Sequence, residues 1–142
     1  MKKRILLGIG AVIAVLIALR VVAALIWPTI IDVRTGATPE YPELRAQRFA
    51  LPQDRVYAAA LAAAQGIGWE ITAQSAEKGE ILAVATTAVF RFKDDVALNV
   101  TREADGTIVN MRSHSRIGKG DLGANARRIR DFQAELGRRL QQ

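Results

Sequence analysis

The sequence predicts an α+β chain: an N-terminal transmembrane helix, then a two-layer domain with two helices on one face of a four-stranded antiparallel sheet, to which one short strand is added. Three observations carry this expectation. Residues 5–27 are apolar apart from Arg20. Two long segments alternate at period two around Asp105-Gly106, a strong hairpin signal. Two further segments repeat apolar residues at helical spacing.

Taken in order, the run from Ile5 to Leu19 rises only about 22 Å, short of a ~30 Å hydrocarbon core. Continuing through Arg20 to Trp27 gives roughly 35 Å, enough to span with modest tilt. Arg20 then either snorkels toward an interface marked by Trp27 or meets an acidic group of a partner helix. The short basic start, Lys2, Lys3 and Arg4, places the N-terminus in the cytoplasm and the rest across the membrane. The same pattern also fits a secretory signal with a cleavage site at Val21-Val22-Ala23. An uncleaved anchor over residues 1–27 is preferred because the apolar run continues past Arg20.

Residues 28–44, with three prolines and a glycine, read as an extended linker, and the domain is expected over 45–142. Arg48–Leu51 suggests a short strand. Pro52 and Asp54 open a helix to about Gln65, with Val56, Ala60, Ala63 and Ile67 on its inner face. Trp69–Ala73 and Ile81–Thr87 form a hairpin about Glu77-Lys78-Gly79. Phe90–Arg102 pairs with Thr107–Arg116. Setting Ala104 opposite Thr107 puts Phe90, Phe92, Val96, Leu98, Val100, Val109 and Met111 on a dry face, and puts Asn99 opposite Arg112. Arg91, Lys93, Asn99, Thr101, Asn110, Arg112, His114 and Arg116 fall on the polar face. A last helix runs from Leu122 to about Leu140, and its apolar stripe should join the first helix over the dry face.

Composition excludes much chemistry. Without cysteine there is no disulfide, thiolate catalyst, zinc-thiolate site or lipidated cysteine. A single histidine, His114, argues against a transition-metal site, so neither metal nor cofactor is expected. Setting Lys2, Lys3, Arg4 and Arg20 aside from the 20 basic residues leaves 16 against 14 acidic ones, too weak an excess for nucleic acid. The excess is local, because from Arg112 onward eight basic residues face only Asp121, Asp131 and Glu135.

The segment Arg112-Ser-His-Ser-Arg-Ile-Gly-Lys-Gly-Asp-Leu-Gly-Ala-Asn-Ala-Arg-Arg carries the candidate site. Free amides at the start of the last helix, with Arg112, Arg116 and Lys119, would make an anion site. Against this, Asp121 as helix cap would occupy those amides, and the arginines would pair with Asp94, Asp95 or Asp121. Asp94 and Asp95 point to opposite faces and make no acid/base pair; Asp95 is expected opposite Arg116 as an ion pair. His114 has no nucleophile or carboxylate partner legible in the sequence, so serine-histidine catalysis is not expected.

The run Phe92-Lys-Asp-Asp-Val, together with Arg112-Ser-x-Ser-Arg-x-Gly-x-x-Asp-Leu-Gly-x-Asn-Ala-x-Arg-Ile, resembles the signature of domain-of-unknown-function family 1499 of bacteria and plants, over about Tyr41 to Leu140. The resemblance implies an α+β domain with no assigned reaction. It makes Asp95, Arg112, Ser113, Ser115, Arg116, Gly118, Asp121, Leu122, Gly123, Asn125 and Arg128 motif positions and leaves His114 in a variable slot.

The functional expectation is a non-enzymatic accessory or scaffold subunit of a membrane complex. It would be anchored in the bacterial cytoplasmic membrane with its domain in the periplasm, and its partners would be other membrane-protein subunits or anionic lipid. The binding residues would be Arg112, Arg116, Lys119, Asp121, Asn125, Arg128 and Arg20. The alternative is a small-molecule or anionic-lipid binding domain, less readily an enzyme, using the Arg112, Arg116 and Asp121 region.

Overall fold

The computed structural model describes residues 2–141; the side chains of residues 2–7 and Ala24 lie outside that description. The basic cluster Lys2, Lys3 and Arg4, on which the expected orientation rests, therefore falls outside it.

Helix α1, Lys2–Ile26, is apolar with almost no preferred face, and every side chain from Gly8 to Val22 is exposed. Among the described residues no helix is long and apolar enough to cross a membrane. The transmembrane helix expected over residues 5–27 is therefore not supported among the described residues.

After α1 come strands β1 (Asp32–Arg34) and β2 (Gln47–Phe49), helix α2 (Gln53–Gly66), and strands β3 (Glu70–Ser75), β4 (Glu80–Thr86), β5 (Lys93–Glu103) and β6 (Gly106–Ser115). Helix α3, Ala124–Leu140, closes the chain. The sheet has six antiparallel strands in the order β1-β6-β5-β4-β3, with β2 also on β6. The sheet thus exceeds the expected four strands plus one, because residues 32–34, expected within the linker, pair with 112–114. Periodicity could not show so short a strand. Both β1 and β2 cover the outer edge of β6, which would otherwise present unpaired amides and carbonyls.

Helices α2 and α3 pack on the dry face. Val56, Ala60 and Ala63 of α2 and Ala126, Ile129, Phe132 and Leu136 of α3 meet Ile81, Val96, Leu98, Val100, Val109 and Met111 of the sheet. Trp69 stacks on Phe132 with ring centroids 5.5 Å apart. Val33 and Leu44 also enter this core, tying residues 28–44 to the domain.

Three expected placements change. The β5–β6 register pairs Asn99 with Asn110 and Val100 with Val109, two residues from the expected pairing. A shift of two keeps every side chain on its face, which is why the expected dry and polar faces hold from Val96 to Met111. Its cause is Gly106, at φ 146, which lies in the strand rather than in the turn. A Cβ there would run into the Phe49 carbonyl, so the glycine is spent on the approach of β2. Phe90 and Phe92 are not on the dry face: residues 87–92 form the β4–β5 connection, Arg91 has φ 56, and both rings are exposed. Leu122 likewise stands outside α3 at φ 50, exposed.

Candidate binding surfaces around the β6–α3 segment

Period two divides the motif on β6 between two environments. Arg112, His114 and Arg116 point to the polar face, whereas Ser113 and Ser115 are buried under α3 with Asp94 of β5.

On the polar face the arginines are engaged. The Arg112 guanidinium donates two hydrogen bonds to Asp32, at 2.9 and 2.8 Å, and Arg34 donates a third at 3.2 Å. The Arg112 hydrogen bonds hold the Asp32 carboxyl down to about 2, against burial, which works the other way. Arg116 grips Asp95 through its Nε and Nη2 atoms, at 3.0 and 2.6 Å, and lowers that carboxyl's pKa. The expected Asp95–Arg116 pair is therefore present, although Asp95 opposes His114 across the ladder and the contact is diagonal. In turn each arginine is held more firmly protonated by its carboxylate.

On the buried face a continuous polar network joins β5, β6 and α3. Arg128 donates to Asp94 Oδ2 at 2.6 Å, to Ser113 Oγ at 2.8 Å and to Asn125 Oδ1 at 2.7 Å. Ser113 Oγ donates to Asn125 Oδ1 at 2.6 Å. The Asn125 amide nitrogen donates to Ser115 Oγ at 2.8 Å and to the Ile31 carbonyl at 3.1 Å. The network explains why apolar packing tolerates a charge here: the Asp94 and Arg128 side chains are 3 % and 10 % exposed and directly paired.

Asp121 turns inward at the head of α3. Its carboxylate accepts the Gly123 amide at 2.8 Å and the Asn125 amide at 2.9 Å, so the amides an anion would need are taken. The N-cap position itself is Gly123, at φ 75, rather than the expected Asp121. A Cβ on Gly123 would sit 2.6 Å from Trp27 Cδ1, so the end of α1 rests on this loop. Asp121 also donates its amide to the Ile30 carbonyl at 3.1 Å.

Thus Arg112 and Arg116 stand together on the outer face, and Asn125 and Arg128 are internal. Asp121 caps α3, Lys119 is exposed without an ion-pair partner among the described residues, and Arg20 lies on exposed α1. They do not form one site. Among the described residues no cluster of three metal-ligating side chains occurs. A second feature is not visible in the sequence: an apolar groove of about 480 Å³ between residues 87–92 and 117–124. Spacing assigns Phe90, Phe92 and Leu122 to buried stripes, because spacing does not reveal where a strand or helix stops.

Comparison with known proteins gives distant structural neighbours. The crystal structure of TTHA0849 from Thermus thermophilus is 15 % identical, with TM-score 0.41, over 77 % of this chain and 96 % of that one. That of Ara h 8.0201 is 9 % identical, with TM-score 0.38, over 78 % and 98 %. CalU16 from Micromonospora echinospora is 17 % identical, with TM-score 0.34, over 64 % and 72 %. None of these likenesses bears on activity. No curated protein matches the chain. The family model for "Protein of unknown function (DUF1499)" matches residues 23–136, which include β1–β6, the buried network and most of α3. The chain belongs to the DUF1499 family.

Proposed function

We propose that the protein is a non-catalytic accessory module held at a membrane by α1, with its domain presented to other membrane-protein subunits. One observation carries the reading: α1 is apolar all round and exposed all along Gly8–Val22, and a helix of that kind is stable in water only when lipid or protein covers it. Arg20 sets the terms of the seating. It lies about 10 Å along the axis from Trp27, within snorkelling reach of an interface, or it pairs with an acidic group of a neighbouring helix. The basic start of the chain favours a cytoplasmic N-terminus and a periplasmic domain in the bacterial inner membrane.

The alternative anion site at Arg112, Arg116 and Asp121 is not favoured, since each side chain already has its counter-charge or amide partners. The test is fractionation of the full chain with and without alkaline carbonate, followed by native mass measurement in mild detergent. Retention in the membrane pellet and a stoichiometric partner are expected. Release by carbonate would overturn the membrane seat, and recovery only as a lone monomer would overturn the subunit role.

A further inference from the structure

The β4–β5 loop, residues 87–92, and the β6–α3 loop, residues 116–123, project from the same end of the sheet, because Asp94 opposes Ser115 at the last rungs of β5 and β6. Five large apolar side chains emerge there: Val89, Phe90, Phe92, Ile117 and Leu122, with Phe90 73 % and Leu122 57 % exposed. They border the groove of about 480 Å³. Phe90 and Phe92 stack at 5.5 Å, so the patch is ordered within itself. Each loop holds a non-glycine residue in the left-handed region, Arg91 at φ 56 and Leu122 at φ 50. That conformation is costly away from glycine, and here it accompanies apolar side chains turned out into water.

This end is also where α1 joins the domain. Trp27 lies against Gly123, Thr29 against Gly120, and the Ile30 carbonyl accepts the Asp121 amide. The C-terminal end of α1 and the exposed apolar loops therefore meet at one end of the domain. Cations are interleaved with them: Arg91, Lys93 and Lys119 are exposed and have no ion-pair partner among the described residues, unlike Arg112 and Arg116. Apolar side chains that enter the acyl boundary beside cations at headgroup level are the composition of an interfacial membrane contact.

We propose that these two loops form a membrane-docking edge that enters the surface of an anionic bilayer, fixing the domain against the membrane in which α1 sits. The inference rests on the membrane seat proposed for α1, and it adds a defined orientation: the β5–β6 turn at Ala104-Asp105, at the other end of the strands, points away from the lipid.

The natural absence of cysteine allows single labels in the full chain. Phe90→Cys, Asp105→Cys and Leu16→Cys, each carrying an environment-sensitive fluorophore, are reconstituted into phosphatidylcholine vesicles with and without phosphatidylglycerol, and spin-labelled lipid is titrated in. The Phe90 label is expected about 5–10 Å into the headgroup and acyl boundary, blue-shifted and quenched, with the Asp105 label unaffected. Charge reversal at Arg91, Lys93 and Lys119 together should abolish the phosphatidylglycerol dependence of that quenching. A Phe90 label quenched no more than the Asp105 label overturns the docking edge, and if the Leu16 label is quenched in the same vesicles the seat of α1 survives. A Leu16 label shielded from lipid beside a quenched Phe90 label does the reverse.

Discussion

Arg128 of α3 reaches Asp94 of β5 at 2.6 Å, and the pair is almost entirely buried between helix and sheet. It is the only one of the eight ion pairs among the described residues in which both partners are this deeply enclosed. The motif that resembled an anion site thus does its work mainly by locking α3 to β5 and β6.

Removing one partner strands a buried charge. Arg128→Met is expected to cost about 3–5 kcal/mol, and Asp94→Asn a comparable amount, in chemical denaturation. The double variant should be far less destabilised than the two single losses added together. Additive losses would show that the two residues act independently.

Asn125 joins α3 to both serines and to the Ile31 carbonyl. Asn125→Leu keeps the approximate volume but leaves those buried groups, and part of Arg128, without partners. A loss of about 2–4 kcal/mol follows, read from the shift in denaturation midpoint. A loss under about 0.5 kcal/mol would mean that the network relaxes freely around the change.

Asp32 has a folded pKa of about 2 against an ordinary 3.8, so its pairing with Arg112 stabilises the fold fully above about pH 4 and is lost as pH falls through about 2. Both side chains are substantially exposed, so solvent screens the pair. Asp32→Asn should cost only about 0.5–1 kcal/mol at pH 7, and its deficit should vanish near pH 2. Equal deficits at both pH values would assign the loss to packing instead of charge.

Gly123 combines φ 75 with close contact to Trp27. Gly123→Ala is expected to lose about 1–2 kcal/mol from the left-handed conformation and to displace Trp27, visible as a shift in tryptophan emission. In a Trp27→Ala background the same substitution should cost less, because only the backbone strain remains. An identical cost in both backgrounds would show that Trp27 does not rest on this loop.

Local patterning made several elements legible. Val56, Ala60 and Ala63 at helical spacing marked the inner face of α2, and alternation from Val96 to Val100 and from Val109 to Met111 marked the dry face of the sheet. Even the Asp95–Arg116 pair survived a register error of two, because side-chain direction depends only on parity.

What the sequence determined by itself was therefore whatever one segment's periodicity encodes: the α+β class, the faces of β5, β6, α2 and α3, and the apolar character of α1. Tertiary structure decided whatever depends on two segments meeting. Residues 32–34 became a strand only because the edge of β6 needed pairing, and Gly106 left the turn because β2 approaches it. Arg112 and Arg128, both in one basic motif, went to opposite sides of the sheet and met Asp32 and Asp94, whose distances along the chain gave no hint of contact. Phe90, Phe92 and Leu122 looked like core by spacing, yet they lie in loops where the neighbouring strand and helix have stopped. Their exposure beside α1 depends on where two chain ends of the sheet converge, and no local pattern in the sequence records that convergence.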